Sequence, residues 1–394
     1  MNIQNTSPLS HLSDHELTRS EFIFRMMNSP FAVKLLSHVT LIALKIGIPI
    51  ESLIKQTIYK QFCGGETIEE SEKIVNKLGT YTIKSILDYS VESASEREFE
   101  QTINELEKIT QLAAINKHIP YTCIKLTGIA TVDLLKKIGK KTSLNEKELQ
   151  QYETVKARLV TICDYSEKHK IPLYIDAEES WLQEAIDSLA IEMMRKYNKK
   201  TALVSNTLQM YRKDRLDYLV NLIATAKKEN FKLGVKLVRG AYWETEMNRA
   251  ISKQYPVPVF ENKSDSDNAF DLAAKICIDN LDSVTVCIGT HNEQSVYHVM
   301  DYMNQLKIQP NNSKIYFSQL YGMSDNISYQ LANQNYNITK YLPYGPVKSV
   351  VPYLIRRAEE NTSIAGQMGR ELKLILQEKV IRRMKKHDYN HASM

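Results

Sequence analysis

The chain has 394 residues, and its hydrophobic fraction of 43% is enough for a buried core and argues against wholesale disorder. Its 51 lysines and arginines against 46 aspartates and glutamates leave a net charge of +5, which does not by itself indicate nucleic acid binding. The five cysteines are widely spaced and form no C-x-x-C, which argues against a disulfide framework and a zinc site and favours a reducing compartment.

The first 78 residues carry helical patterns with little strand character, and they predict an N-terminal helical region. The most apolar early stretch, 31–50, is interrupted by Lys34, His38 and Lys45, so we do not expect it to span a membrane. The first 25 residues lack the basic-then-apolar pattern of an export signal. The sequence therefore predicts a cytoplasmic protein.

From residue 79 onward, short β-type segments alternate with amphipathic helical segments, which predicts parallel strands covered by helices. Eight such units in about 300 residues match the count and size of a (β/α)8 barrel of the TIM type. A doubly wound sheet would more often carry a glycine fingerprint, and this chain contains no G-x-G-x-x-G. We therefore predict an α/β fold with a helical extension (1–78) and a (β/α)8 barrel with a C-terminal helix (79–394). The predicted strands are 81–90, 119–129, 171–178, 201–207, 231–240, 283–291, 314–322 and 337–342.

The C-terminal ends of the predicted strands are rich in ionisable and amide side chains, and this rim is where such barrels place their chemistry. Any one of these residues could be a solvated loop residue, but their recurrence on eight strands favours a functional rim. Lys125 and Lys236 are the most informative, because each lies in an apolar run where a buried cation needs a partner. Asp88, Asp176 and the phosphates of a cofactor are candidate partners. The rim residues are Asp88, Lys125, Asp176, Glu178, Glu179, Gln209, Lys236, Arg239, Thr290, His291, Gln319 and Tyr341.

The segment that follows the fifth strand, KLVRGAYWETE, combines small residues with aromatic ones. Gly240 and Ala241 stand next to Tyr242 and Trp243. Close backbone approach and flat side chains suit a planar ring or a nucleotide. A tightly packed corner between a strand and a helix would have the same composition, so the segment alone leaves both interpretations open.

The helix after the eighth strand carries two adjacent arginines, and Pro346 is expected in its first turn, where the missing N–H costs no hydrogen bond. Tyr353, Arg356, Arg357 and Glu360 occur at i, i+3, i+4 and i+7 and share one face. On a solvated face, Arg356 and Glu360 would form an ordinary pair that contributes a few tenths of a kcal/mol. Over a cleft, the two guanidiniums would bind a planar carboxylate, with a tyrosine and a glutamate beside it for a cation. The position after the eighth strand favours the cleft.

Six short motifs occur in order on the third to the eighth units: IDAEE (175–179), NTLQMYRKDR (206–215), KLVRGAYW (236–243), GTHN (289–292), LYGM (320–323) and YLIRR (353–357) with EN (360–361). Together they resemble the proline dehydrogenase family, the FAD-dependent oxidases of L-proline, over about residues 80–370. The resemblance implies a distorted (β/α)8 barrel that holds FAD at the C-terminal ends of the strands. It also implies oxidation of L-proline to 1-pyrroline-5-carboxylate, with hydride transfer to FAD and electrons passed to a membrane quinone.

The resemblance further implies roles for individual residues. Asp176 and Lys236 would be catalytic, and Lys236 stands where many bacterial members have an arginine near the flavin N5. Arg356 and Arg357 would hold the substrate carboxylate with help from Lys125. The implied substrate-binding set is Lys125, Asp88, Leu237, Ala241, Leu320, Tyr341, Tyr353, Arg356, Arg357 and Glu360, and the implied FAD-binding set is Ala177, Gln209, Lys236, Val238, Arg239, Gly240, Ala241, Trp243, Lys263, Thr290 and His291.

Besides Lys236, two further departures from the family pattern are visible. Asp88 begins the motif Asp-Tyr-Ser-Val-Glu (88–92), whereas the family more often has Asp-Met-Leu-Gly-Glu. The chain is also shorter than the bifunctional proline utilisation enzymes, which add an aldehyde dehydrogenase domain. We therefore expect a monofunctional enzyme.

Other functions remain open. A sibling enzyme would oxidise hydroxyproline or a related cyclic amino acid, although the Tyr341 hydroxyl would crowd an added oxygen. A catalytically silent barrel that binds an amino acid is a second alternative. No metal is expected, because only His291 lies at a strand end and no cluster of histidines and carboxylates surrounds it.

The C-terminal run 371–387 is basic and amphipathic. It could lie on the anionic inner face of a membrane, which would bring the protein to its quinone. It could equally form a packed or solvated terminal helix.

Overall fold

The computed structural model describes residues 9–91, 95–363 and 367–392, without the side chains of 360–363, 367–368 and 386–392. Eight parallel strands close into a barrel in which each strand pairs with its neighbours in sequence and β8 pairs with β1. The predicted (β/α)8 barrel is therefore confirmed. Six strands lie within their predicted segments, while β4 and β8 each extend two residues further. The strands are β1 (Lys84–Tyr89), β2 (Tyr121–Ile124), β3 (Leu173–Ile175), β4 (Val204–Gln209), β5 (Leu233–Val238), β6 (Val284–Gly289), β7 (Ile315–Leu320) and β8 (Ile338–Tyr344).

Helices surround the barrel and precede it. Before β1 lie α1 (Asp14–Met27), α2 (Pro30–Lys45), α3 (Glu51–Ile54), the π-helical turn Lys55–Tyr59, α4 (Lys60–Phe62) and α5 (Ile68–Gly79). The remaining helices are α6 (Glu96–Ile115), α7 (Val132–Gly139), α8 (Glu146–His169), α9 (Ser180–Tyr197), α10 (Arg215–Lys228), α11 (Trp243–Lys253), α12 (Lys263–Asp279), α13 (Glu293–Gln305), α14 (Asp325–Asn333), α15 (Val347–Ser363) and α16 (Gln367–Ala392), with a 3-10 turn at Leu126–Gly128.

The sequence defines several helix starts through side-chain caps. Ser95 and Glu98 form a reciprocal capping box at the start of α6, and Asn145 and Glu148 form another at the start of α8. Pro346 lies just before α15, which begins at Val347. It is therefore one position earlier than the first turn, where proline was expected. The backbone amide of Val350 donates to its carbonyl, so Pro346 still supplies the first acceptor of the helix.

The barrel interior is packed with aromatic and sulfur-containing side chains. The rings of Tyr121 and Tyr174 stack with centroids 4.5 Å apart, and Tyr316 meets Tyr121 edge-on at 5.1 Å. Cys123 and Cys287 fill the space around them. Since successive residues of a strand point to opposite faces, this packing determines which residues further along each strand reach the mouth.

The N-terminal helices pack at the C-terminal end of β8. The Tyr59 hydroxyl donates to the Gly345 carbonyl at 2.7 Å, and the Gly64 amide donates to the Pro343 carbonyl at 2.8 Å. Gly345 has φ near 138°, a backbone conformation that favours glycine. Because α2 also packs against α15, the helical extension lies beside the arginine-bearing helix. The division into two regions at residue 78 stays a prediction.

The basic C-terminal helix α16 packs against α1. The Lys379 ammonium contacts Glu21 at 2.6 Å, and Arg382 contacts the Asp14 carboxylate at 2.8 Å and the Leu12 carbonyl at 2.7 Å. Two of its cations are therefore occupied within the protein. No single described helix is long and apolar enough to cross a membrane. The two helices α1 and α2 are long and apolar enough when taken together, but they are bent by 99° relative to each other.

Candidate active site

A buried ion pair lies at the mouth of the barrel, between β3 and β5. The Lys236 ammonium contacts the Asp176 carboxylate, which also accepts hydrogen bonds from the Tyr341 hydroxyl at 2.7 Å and from Thr207 at 3.3 Å. Burial by itself raises the pKa of Asp176, but Lys236 and Lys125 outweigh it and lower the pKa overall. The same carboxylate keeps the pKa of Lys236 above its usual value despite burial. Both groups are therefore charged.

A second ion pair lies next to the first, between β1 and β2. The Lys125 ammonium lies 3.0 and 2.9 Å from the two Asp88 oxygens, and Ser90 donates to the same carboxylate. Lys125 is also 3.4 Å from the Tyr341 hydroxyl. Burial opposes the charge of Lys125, but Asp88 and Asp176 together raise its pKa. The Tyr341 hydroxyl therefore connects the two pairs, and its pKa is raised by burial and by both carboxylates, so it stays protonated.

The arginine-bearing helix α15 covers one side of this mouth. A cleft opens between the ends of β1 and β2 and this helix, and Asp88, Lys125, Tyr353 and Arg356 line it. Arg357 is buried, with its guanidinium 5.6 Å from the Tyr353 ring centroid. The structure therefore turns the arginine stripe toward the barrel and not to solvent. The side chain of Glu360, the fourth member of the stripe, lies outside the described residues.

Asp88 has one of the partners expected of it, whereas Leu237 lies away from the cleft. The Asp88 carboxylate contacts Lys125, as the buried lysine predicted, and accepts from Ser90. Leu237 is fully buried in the main hydrophobic core, between the strands and the surrounding helices. Neighbouring residues of a strand point to opposite faces, and Lys236 points into the mouth, so Leu237 points outward. Leu237 therefore lies on the opposite face of β5 from the cleft, whereas Leu320 lies close to the barrel interior.

Most of the residues expected to hold FAD lie on the β4 to β6 side of the mouth. Gln209 is buried at the end of β4, and its side-chain oxygen accepts no hydrogen bond from the part of the chain that the structure describes. Gly240 has φ near 125°, and a Cβ there would lie 2.3 Å from the Tyr211 ring, so only glycine fits. Val238 and Ala241 are half-buried beside Gly240 in the sequence, and Ala177 is half-buried just after β3.

Arg239 organises the ends of β5 and β6. Its guanidinium donates to Asp267 at 2.6 Å, to Thr290 at 2.5 Å and to Ser295 at 2.8 Å. Lys263 contacts the same Asp267 carboxylate at 2.5 Å from the first turn of α12. Trp243 is partly exposed, and its ring N–H donates to a backbone carbonyl at 2.8 Å. These side chains form a wall around the segment for which the sequence left both a planar-ring contact and a packed corner open.

His291 is held as a neutral imidazole at the end of β6. Burial lowers its pKa well below the usual value, and Arg357 is among the cations that lower it further. Its Nε2 accepts from the Leu320 amide at 3.4 Å, so Nδ1 carries the proton and donates to Ser324 at 2.9 Å. The Ser324 amide in turn donates to Glu371 of α16 at 2.8 Å. Sequence reasoning missed this support from the terminal helix, because no local pattern connects the two segments.

Tyr242 contacts the arginine-bearing helix, although the sequence analysis gave it no individual role. The Arg356 guanidinium lies 5.8 Å from the Tyr242 ring centroid, and burial raises the pKa of that phenol. The adjacent aromatic pair was noted as a candidate ring contact, but its contact with Arg356 depends on how α15 folds over the barrel.

Glu178 is a buried carboxyl group at the end of β3. Its oxygens accept from the Thr127 hydroxyl at 2.6 Å and the Thr127 amide at 3.1 Å. Burial raises its pKa to about 7, more than these hydrogen bonds lower it. The group is therefore largely protonated below neutral pH and ionised above it.

Glu178 should make stability depend on pH. The folded protein retains its proton up to about pH 7, whereas the unfolded chain releases it near 4.5, so the free energy of unfolding falls as pH rises through this range. The full shift corresponds to about 3 kcal/mol. We expect the urea midpoint of Glu178→Gln to change less with pH across this range than the midpoint of wild type. The control variant Glu179→Gln, at the half-exposed neighbouring residue, should show the wild-type dependence of the midpoint on pH. Parallel pH profiles for Glu178→Gln and wild type would contradict this assignment.

The family model for proline dehydrogenase matches residues 71–370 of this chain. The chain belongs to the proline dehydrogenase family. Among curated relatives, proline dehydrogenase 1, mitochondrial, from Dictyostelium discoideum is 31% identical over 86% of this chain and 68% of its own. The carbapenem biosynthesis protein CarD of Pectobacterium carotovorum is 32% identical over 82% and 84%, and hydroxyproline dehydrogenase of Xenopus laevis is 28% identical over 93% and 87%.

Solved structures agree with the fold of this proline dehydrogenase family member. Proline utilization A from Bdellovibrio bacteriovorus, inactivated by N-propargylglycine, superposes with a TM-score of 0.72 at 20% identity, over 94% of this chain. The chain spans about two fifths of that protein, since the match covers 41% of it. Proline utilization A from Bradyrhizobium japonicum gives a TM-score of 0.64 over 80% of this chain and 32% of its own. These structures support the fold, and the family model over residues 71–370 confirms the predicted family.

Proposed function

We propose that this protein oxidises L-proline to 1-pyrroline-5-carboxylate, with FAD as its cofactor and a membrane quinone as the electron acceptor. The observation that carries the proposal is the cleft in which Arg356, Tyr353 and Lys125 lie beside the Asp176–Lys236 pair. It combines cations for a carboxylate with an anion for a developing positive charge. The same activity is supported by the match to the proline dehydrogenase family model. It is also supported by the similarity to proline dehydrogenase 1 of Dictyostelium discoideum, which extends over 68% of that relative.

The residues on the β4 to β6 side suit a flavin. The buried Gln209 oxygen could accept a hydrogen bond from a ring N–H, and Gly240 allows the backbone after β5 to pack against the Tyr211 ring beside it. Thr290, Arg239, Lys263 and His291 would surround the rest of FAD, which supplies a hydride acceptor when bound.

The cleft residues would hold L-proline in one orientation. Arg356 and Arg357 would bind the carboxylate with bidentate, charge-assisted hydrogen bonds, and Lys125 would add a third cation. Tyr353 and Tyr341 would close around the ring. A carboxylate held at two points leaves the ring little freedom to rotate, so the carbon that loses hydride would face the flavin.

The Asp176–Lys236 pair would act on charges that form during the reaction. Loss of hydride leaves positive charge on the substrate nitrogen and its neighbouring carbon, and the ionised Asp176 would stabilise it. Lys236 would stabilise the negative charge that the cofactor gains. Tyr341, protonated and bonded to Asp176 at 2.7 Å, would keep that carboxylate in position.

The decisive test is anaerobic addition of L-proline to the purified, flavin-containing protein. We expect the flavin absorbance to bleach with L-proline and to stay unchanged with D-proline, because the cleft fixes both the carboxylate and the ring. A protein that takes up no flavin would favour the silent amino-acid-binding barrel. Faster bleaching by hydroxyproline would favour the alternative substrate, which the similarity to hydroxyproline dehydrogenase of Xenopus laevis makes worth including.

The proposed acceptor also bears on location. A lipid-soluble quinone has to be reached at a membrane, so we propose a cytoplasmic protein that contacts the inner face of the membrane. Nucleic acid has no part in this proposal.

A further inference from the structure

The helix α2 exposes an unusually apolar surface. Phe31, Leu35, Val39, Ile42 and Ile46, at its end, are each between 47% and 75% exposed. At 100° per residue, their spacing places them within an arc of about 80°, so they form one continuous stripe. A soluble protein rarely exposes a contiguous stripe of this kind without a binding partner.

A row of cations runs beside this apolar stripe. Lys34, His38 and Lys45 are all exposed, and their spacing places them within an adjacent arc of about 40°. The helix contains no aspartate or glutamate. A basic row next to a stripe of large apolar side chains is the pattern of helices that lie in the surface plane of an anionic membrane.

We propose that α2 docks this protein on an anionic lipid bilayer, with its apolar stripe among the acyl chains and its lysines at the phosphate groups. The inference rests on the proposed function, in which a quinone dissolved in the membrane takes electrons from FAD. It assigns membrane contact to α2 and not to the basic terminal helix, where Lys379 and Arg382 already contact carboxylates.

The position of α2 suits delivery of a membrane-borne acceptor. It packs against α15, which carries Arg356 and Arg357. Burial and Glu244 raise the pKa of Glu359 on that helix, and Arg356 and Lys34 both lower it, so Lys34 of α2 and Arg356 of α15 act on the same carboxyl group. A bilayer in contact with α2 would therefore lie next to the site.

Charge argues against a second copy of the chain as the occupant of this surface. A symmetric dimer through α2 would bring two basic rows together without acidic partners from the helix itself. Anionic lipid headgroups provide the opposite charge, and acyl chains accept apolar side chains without a shape requirement.

The test is co-sedimentation of the flavin-containing protein with vesicles of equal parts phosphatidylglycerol and phosphatidylcholine. We expect wild type to bind and the variant Phe31→Glu/Leu35→Glu to bind at least about tenfold more weakly, because two large apolar side chains no longer enter the bilayer. Charge reversal by Lys34→Glu/Lys45→Glu should also weaken binding to the vesicles that contain phosphatidylglycerol. The same variant should change binding to vesicles of phosphatidylcholine alone very little.

Two matched controls replace exposed apolar residues elsewhere. Ile115→Glu on α6 and Val380→Glu on α16 should both bind as wild type does. Wild-type binding by the α2 variants, or loss of binding in Val380→Glu alone, would overturn the proposal. If the α2 variants convert a dimer to a monomer in sedimentation velocity with vesicle binding unchanged, the surface joins two copies instead.

Bleaching by L-proline separates this inference from the proposed function. The α2 variants should bleach at the wild-type rate and lose turnover only with a quinone embedded in vesicles. If no variant and no wild-type sample bleaches, the proposed function fails, while the vesicle result still decides the docking surface.

Discussion

Replacing Arg356 or Arg357 by methionine is expected to raise the KM for L-proline at least about tenfold while FAD stays bound. A hydrogen bond to a charged group contributes about 1.5 to 3 kcal/mol, and methionine keeps only the unbranched apolar part of the side chain, without its charge. Arg356 lines the cleft directly, whereas Arg357 is buried beside Tyr353. We therefore expect Arg356→Met to change KM alone and Arg357→Met to lower thermal stability as well.

Steady-state kinetics with a soluble dye as acceptor, together with the ratio of flavin to protein absorbance, measure this effect. A suitable control is Lys348→Met, because Lys348 lies on the same helix but is exposed and pairs with Glu51 at 3.0 Å. It should leave the KM unchanged. Wild-type kinetics in both arginine variants would rule out the carboxylate site as described.

Asp176→Ala is expected to lower the free energy of unfolding by about 3 to 5 kcal/mol, because it leaves the Lys236 ammonium charged and buried without its partner. Tyr341 and Thr207 would also lose their shared acceptor. The stability that wild-type Asp176 contributes should itself be lost as pH falls through its lowered pKa.

The double variant Asp176→Ala/Lys236→Met tests the cause of this loss. It removes both charges, so it should recover a large part of the stability even though it lacks both catalytic candidates. Asp133→Ala is a matched control, since Asp133 pairs with Lys136 at 3.3 Å on an exposed face and should cost about 1 kcal/mol or less. Urea unfolding followed by circular dichroism gives all four values. An Asp176→Ala midpoint no lower than that of Asp133→Ala would contradict a buried charge pair.

Much of the site was predictable because it follows local rules. Lys125 and Lys236 stand in apolar runs, and a buried lysine requires a carboxylate, so partners were expected before any contact was known. The arginine stripe was visible as a helical spacing, and the structure turns it toward the cleft. The actual partners follow from the closed strand order, which brings the ends of β1 and β2 together for Asp88 and Lys125 and lets Asp176 after β3 reach Lys236 on β5 past the intervening β4.

Other features left no local signal. Glu371 reaches Ser324, which holds His291, across 47 positions of the chain. Tyr242 meets Arg356 only because α15 folds back over the fifth unit. Leu237 was misplaced, because family resemblance carries residues over by position while the strand's alternation decides which face each one occupies.

The amino-acid sequence by itself determined the fold class and the residue types of the rim. Alternating strand and helix patterns repeat eight times, and side chains alternate along each strand, so both are properties of neighbouring residues. Only the tertiary structure decided which charges meet and which apolar faces stay exposed. Asp88 and Lys125 are 37 positions apart, Asp176 and Lys236 are 60 apart, and their pairing depends on how distant strands align. The apolar spacing of α2 is likewise typical of a helix that packs on a core, and only the tertiary structure shows that its stripe faces outward.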